Sequence, residues 1–208
     1  EILFCLNYDG LFGINNVYRI LQSSNPGKAV AWGVQTYKVA DPVLFNDNDR
    51  FRRVLYNNLK GKIVGISIIE QAIQFDLELD RIVTEFDIIG TDLQRINDNT
   101  VRLKVLEQTN SDEDSDSSLA HIPFQVAYAV SIHKAQGLEF NSVKIVVTDS
   151  NEDAVSHSIL YTAITRAREE LTIYWSPETQ QSIVSKLNRP RIDKEVGIIS
   201  SRRSIKIS

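Results

Sequence analysis

At 208 residues, with a formal net charge of −4, a pI near 5.4, and 42% hydrophobic against 24% charged residues, the chain has the balance of an ordinary globular protein. That length suffices for one large domain or two small ones. A lone cysteine, Cys5, excludes a disulfide framework, and no apolar stretch is long enough to span a bilayer, so the expectation is a cytoplasmic protein without membrane attachment. The acidic balance argues against a protein held to nucleic acid by bulk charge alone.

In chain order, the apolar run Ile2 to Leu6 predicts a buried strand, followed by an Asn-Tyr-Asp-Gly turn. From Leu11, the spacing of Ile14, Val17, Tyr18 and Leu21 predicts a helix stopped by Asn25-Pro26-Gly27. Between Gln35 and Leu106 come short β-rich pieces, at Val43–Phe45, Ile63–Ile69, Ile73–Leu79, Ile82–Ile89 and Val101–Leu106. Polar turns separate them, as in a small antiparallel barrel. The acidic run around Asp112–Asp116 reads as a solvated loop over 107–117.

Val126, Tyr128 and Val130 alternate as one short buried strand. The turn after it carries Ser131, His133, Lys134, Gln136, Gly137 and Glu139, and a strand ending in a polar, glycine-bearing turn is where an open α/β sheet places ligands. Val143–Val147 predicts a second buried strand. Leu160–Arg168 predicts a helix with Leu160, Ala163, Ile164 and Ala167 on its core stripe and Thr162, Arg166 and Glu169 opposite. Leu171–Trp175 reads as a further strand and Pro177–Leu187 as a final helix, with 188–208 as a frayed tail.

The string VAYAVSIHKAQGLEF, then VKIVV, LYTAITRAR and LTIYW, resembles in order and spacing the last two motifs of superfamily 1 helicases of the UvrD and RecD type. Gly13, Leu21, Gln22, Asn25 and Pro26 resemble the opening of the second motor domain in RecD-like members. The family's fold is RecA-like (P-loop NTPase-like) α/β, a parallel sheet with helices on both faces. The resemblance implies that such a domain is formed here from 1–34 and 118–187. ADPVLFNDNDRF with LKGKIVGI resembles the start of an SH3-like β-barrel insert, over 35–106, whose size is that of RecD-like and not UvrD-like proteins.

By resemblance, Arg166 is an arginine finger toward the γ-phosphate, work suited to a permanently charged, forked donor. The alternative is a surface ion pair with Glu170. Gln136, Gly137 and Glu139 fall on the nucleotide side: a glycine admits close backbone approach, and a carboxylate accepts from ribose hydroxyls. The plain alternative is a turn glycine and a solvated acid. Ser131, His133 and Lys134 are assigned to single-stranded DNA as donors to its phosphates, with His133 equally readable as a surface group. No metal site is expected, since His121, His133 and His157 lack ligand spacing.

The implied activity is that of the C-terminal motor portion of an ATP-dependent DNA helicase, translocating 5′ to 3′ on single-stranded DNA and unwinding duplex. The competing readings are a non-catalytic binding module with a degenerate helicase fold, and an RNA helicase. The chain begins at Glu1, contains no methionine and has no G-x-x-x-x-G-K-[ST] loop. The expectation is therefore a fragment, inactive alone, whose ATP and Mg²⁺ are bound mainly by an N-terminal RecA-like domain upstream in the same polypeptide.

Overall fold

The computed structural model describes residues 2–6, 10–46, 50–51, 53–107, 120–132, 134–135, 137–148 and 157–187. In chain order the elements are β1 (Ile2–Cys5), α1 (Ile14–Ser23), β2 (Val30–Trp32), β3 (Gln35–Tyr37), β4 (Pro42–Phe45), β5 (Lys60–Ile69), β6 (Ala72–Leu79), β7 (Gln94–Arg95), β8 (Thr100–Leu106), β9 (Phe124–Val126), β10 (Ala129–Ser131), β11 (Phe140–Val146), α2 (His157–Ile164), β12 (Ala167–Tyr174) and α3 (Pro177–Leu187). They build two main sheets of opposite character.

The first sheet is parallel, in the order β10-β1-β11-β12. β1 is apolar at every position because both its faces are covered. Leu3 and Cys5 face α1, packing with Ile14, Val17, Leu21 and Ala129. Ile2 and Phe4, on the alternate face, join Leu160 and Ala163 of α2 and Ile183 of α3. Helices on both faces of a parallel sheet make this an α/β fold, the class expected from the sequence. α3 begins at Pro177, where a missing N–H is harmless, and Ser176 Oγ caps it by accepting the Thr179 N–H at 3.1 Å.

The second sheet is antiparallel, in the order β7-β8-β6-β5-β4-β9. Its largely aliphatic core holds an aromatic cluster: Phe75 meets Tyr37 and Phe124 edge-on, each at 5.1 Å between centroids, and Phe124 meets Phe45 at 5.7 Å. β5 is bulged between Ile63 and Gly65, where an added Cβ would come within 2.9 Å of Asp76 Oδ2. Asp76 cannot yield, because Arg102 grips its two carboxylate oxygens at 2.6 and 2.8 Å.

Four sequence expectations are corrected. The single strand through Val126, Tyr128 and Val130 is two: β9 pairs with β4 in the antiparallel sheet, and β10 pairs with β1 in the parallel one. Ile82–Ile89 is a string of turns, because Asp87 Oδ2 accepts from the Thr84 N–H at 2.7 Å and its hydroxyl at 2.8 Å, and this local ring displaces ladder bonding. The Leu160–Arg168 helix instead runs from His157 to Ile164, and Ala167 already pairs with Phe140 in β12. Val30–Tyr37 holds a small hairpin turning at Gly33, φ 58°, where the sequence pattern predicts no strands. The acidic run from Asp112 to Asp116 and the tail over 188–208 lie outside the described residues.

Candidate functional site

The register of the parallel sheet assigns the polar turn to both of its edges. Cys5 pairs with Ser131 at the carboxyl edge, and Ile2 pairs with Val143, three residues into β11. The segment from Ile132 to Glu139 therefore runs back across the sheet, burying Ile132, Ala135 and Leu138 in the core beneath. Ser131 and Lys134 stand at the carboxyl edge, whereas Gly137 and Glu139 stand at the amino edge. The expectation of both groups at the strand end fails because parallel strands require the chain to return before β11 can begin.

At the carboxyl edge Ser131 is buried, and its hydroxyl accepts the Lys134 N–H at 3.2 Å. Its role there is to shape the turn. Lys134 is exposed, and its Nζ donates to Gln125 Oε1 on β9 at 3.0 Å. His133 and Gln136 lie outside the described residues.

The amino edge gathers Gly137, Glu139 and Arg166. Gly137 has φ +83°, with nothing within 4 Å of where a Cβ would sit, so backbone conformation and not crowding calls for glycine. Arg166 follows α2 in the turn before β12, so the helix-face position expected for it does not exist. Its N–H caps the helix on Ala163 O at 3.2 Å, and its own carbonyl accepts the Phe140 N–H at 2.8 Å. Nη1 donates to Leu138 O at 3.1 Å and Nη2 to Thr165 Oγ1 at 3.3 Å, while Nε is buried without a hydrogen-bond partner. An unmet buried donor costs about 1–3 kcal/mol. The expected alternative partner, Glu170, lies in β12 and accepts instead from Ser142 Oγ at 3.2 Å.

Glu139 is held by Arg168, whose Nε and Nη2 each lie 2.8 Å from Glu139 Oε2. Both side chains are more than half exposed, so the pair is worth only about 0.2–1 kcal/mol and opens readily for a competing ligand. Lys60, the first residue of β5, donates to Glu139 O at 2.9 Å and lies 4.9 Å from the Phe140 ring centroid.

A buried polar node ties the sheets together at the point where the chain crosses from β9 to β10. Asp41 is fully buried and accepts from Gln22 Nε2 at 2.7 Å, Asn25 Nδ2 at 2.8 Å, the Tyr128 hydroxyl at 2.8 Å and the Lys38 N–H at 2.9 Å. Burial first, then the Asp41 carboxylate, push the Tyr128 hydroxyl up to about 12. Gln22 and Asn25 are marked by the sequence pattern, but Asp41, Tyr128, Lys60 and the engagement of Arg168 with Glu139 are not. The one local signal is Asp41-Pro42, a turn dipeptide at the start of β4.

Residues 126–174 match the UvrD-like helicase C-terminal domain family. The RecBCD enzyme subunit RecD of Buchnera aphidicola subsp. Schizaphis graminum is 22% identical over 181 residues, covering 85% of this chain and 25% of that protein. Its counterpart from Buchnera aphidicola subsp. Acyrthosiphon pisum is 24% identical over 179 residues, covering 83% and 24%. The chain thus spans about a quarter of the length of the curated relatives it matches. Among solved structures, Bacteroides Pif1 bound to ssDNA is similar at 15% identity with a TM-score of 0.45, covering 97% of this chain and 46% of that one. Pif1 helicase from Candida albicans is similar at 19% identity with a TM-score of 0.44, covering 93% and 42%.

Proposed function

We propose that this chain is a RecD-like member of the UvrD-type superfamily 1 helicases and the C-terminal motor portion of an ATP-dependent DNA helicase that translocates 5′ to 3′ on single-stranded DNA and unwinds duplex. The observation that carries the reading is Arg166, set against the Gly137–Glu139 turn with a buried, unpartnered Nε. An open glycine, an exposed carboxylate and a guanidinium with spare donors fit a nucleotide at the amino edge. ATP with Mg²⁺ supplies the phosphoryl-transfer chemistry. Gly137 admits the ligand close to the backbone, Glu139 accepts from its ribose once Arg168 releases it, and Arg166 steadies charge developing at the γ-phosphate. Lys134, across the sheet, holds DNA phosphates, and His133 is assigned to the same ligand by resemblance. Phosphate-loop and Mg²⁺ contacts come from an N-terminal RecA-like domain of the same polypeptide, so the 208-residue piece alone does not turn over ATP. Residues 35–106 form an SH3-like insert that walls the strand path, and its RecD-like extent supports the 5′ to 3′ direction.

The test is Arg166→Ala in the full-length protein. DNA-stimulated ATP turnover should fall by about 10³-fold or more, with single-strand affinity in the absence of nucleotide unchanged. Loss of strand affinity with turnover intact, or a wild type without DNA-stimulated hydrolysis, overturns the reading.

A further inference from the structure

We propose that Lys60 is a positioning residue for Arg166, acting through a single peptide group; the proposal rests on the nucleotide reading of the Gly137–Glu139 turn. The peptide linking Glu139 to Phe140 is gripped on both edges: its carbonyl accepts from Lys60 Nζ at 2.9 Å, and its N–H donates to the Arg166 carbonyl at 2.8 Å. A peptide group is a rigid plane, so a pull on its oxygen swings its N–H. Lys60 and the backbone of Arg166 are thereby mechanically joined although they belong to different sheets.

Three features make this lysine more than a solvated surface cation. Its ammonium is placed by three partners at once, the Glu139 carbonyl, the Phe140 ring at 4.9 Å and Asp80 Oδ2 at 3.6 Å. The two sheets part beside it around a cavity of about 280 Å³, lined by Val43, Leu44 and Gly61 from one sheet and Ile2, Val130 and Phe140 from the other. Packing does not close the seam there, and the lysine bridges it. The turn it grips also presents Leu138 O to Arg166 Nη1 and the Glu139 carboxylate to Arg168, so displacement of β5 reaches both side chains. A strand of DNA pressing on the antiparallel sheet would re-aim Arg166 by this route.

The experiment compares Lys60→Met, which keeps the stem and removes the charge, with Lys60→Arg, which keeps a cation and a donor, in the full-length protein. Two readouts are taken: DNA-stimulated kcat and KM for ATP, and hydrogen exchange of the peptide spanning residues 135–141. Lys60→Met should lower kcat about two- to fivefold, the weight of one partly exposed charged contact, with KM and nucleotide-free strand affinity unchanged. It should also speed exchange in the 135–141 peptide relative to β6, and Lys60→Arg should restore both. Unchanged exchange and turnover in Lys60→Met, or equal damage by both variants, overturns the proposal. A wild type without DNA-stimulated hydrolysis removes the nucleotide reading and with it the link to Arg166 function; the exchange comparison then still decides whether Lys60 holds the turn.

Discussion

Asp41→Ala should be the most damaging single truncation outside the hydrophobic core. The carboxylate accepts four donors, but they do not all suffer equally from its removal. Gln22 Nε2 retains Thr36 O at 2.9 Å, and Asn25 Nδ2 retains Val39 O at 3.0 Å and the Tyr128 oxygen at 3.1 Å. The Tyr128 hydroxyl and the Lys38 N–H are left without their acceptor. At about 1–3 kcal/mol for each of the two orphaned donors, the destabilisation comes to roughly 2–6 kcal/mol. Asp41→Asn should be no milder, since its amide would turn two hydrogens toward donors already present. Urea titration followed by circular dichroism measures this as a fall in the midpoint at constant slope. Tyr128→Phe in the Asp41→Ala background should then cost about 1 kcal/mol less than in the wild type, because the orphan it removes exists only there. A destabilisation below about 1 kcal/mol for Asp41→Ala, or strict additivity in the cycle, would show that the node is solvated and does not clamp the sheets.

Other expectations concern the carboxyl edge and alkaline pH. His133→Ala with Lys134→Ala should weaken single-strand binding and flatten its dependence on log salt by about 0.7 for each phosphate no longer neutralised, and an unchanged slope in a filter-binding series would remove DNA from that edge. Burial lifts Cys5 from 9.0 to about 11 and Tyr37 from 10.0 to about 12. Folded values above unfolded ones mean stability that is whole below pH 9 and disappears as pH rises through 11 and 12. Denaturation midpoints across that window should fall, less so in Tyr37→Phe, and a thiol reagent should reach Cys5 only as the chain unfolds.

What the sequence discloses is local. β1, α1, the β5–β6 hairpin and α3 carry their own period and their own stops, and the structure has them close to the expected bounds. β12 begins earlier than its sequence suggests, because Arg166, Glu169 and Glu170 repeat at helical spacing. Its first residues become strand through pairing with β11, a tertiary override of local pattern. The site divides in the same way. The Gly137–Glu139 turn lies within one string of residues, so its chemistry is readable directly. The Tyr128–Asp41 and Lys60–Glu139 contacts span 87 and 79 positions, distances at which no spacing rule operates.

The crossing between sheets at β9 and β10 has a mechanical consequence. Only Ala127 and Tyr128 separate the last residue of one sheet from the first of the other, three Cα steps with a reach of at most about 10–11 Å. Ala127 is buried with its N–H on Pro42 O at 2.8 Å, and Tyr128 is pinned through its hydroxyl, so this stretch carries no slack to absorb a displacement. A bead on a flexible tether would dissipate a push from its cargo. An arm joined by so short and so firmly bonded a strut passes a push on the antiparallel sheet to β10 and to Ser131 at its end.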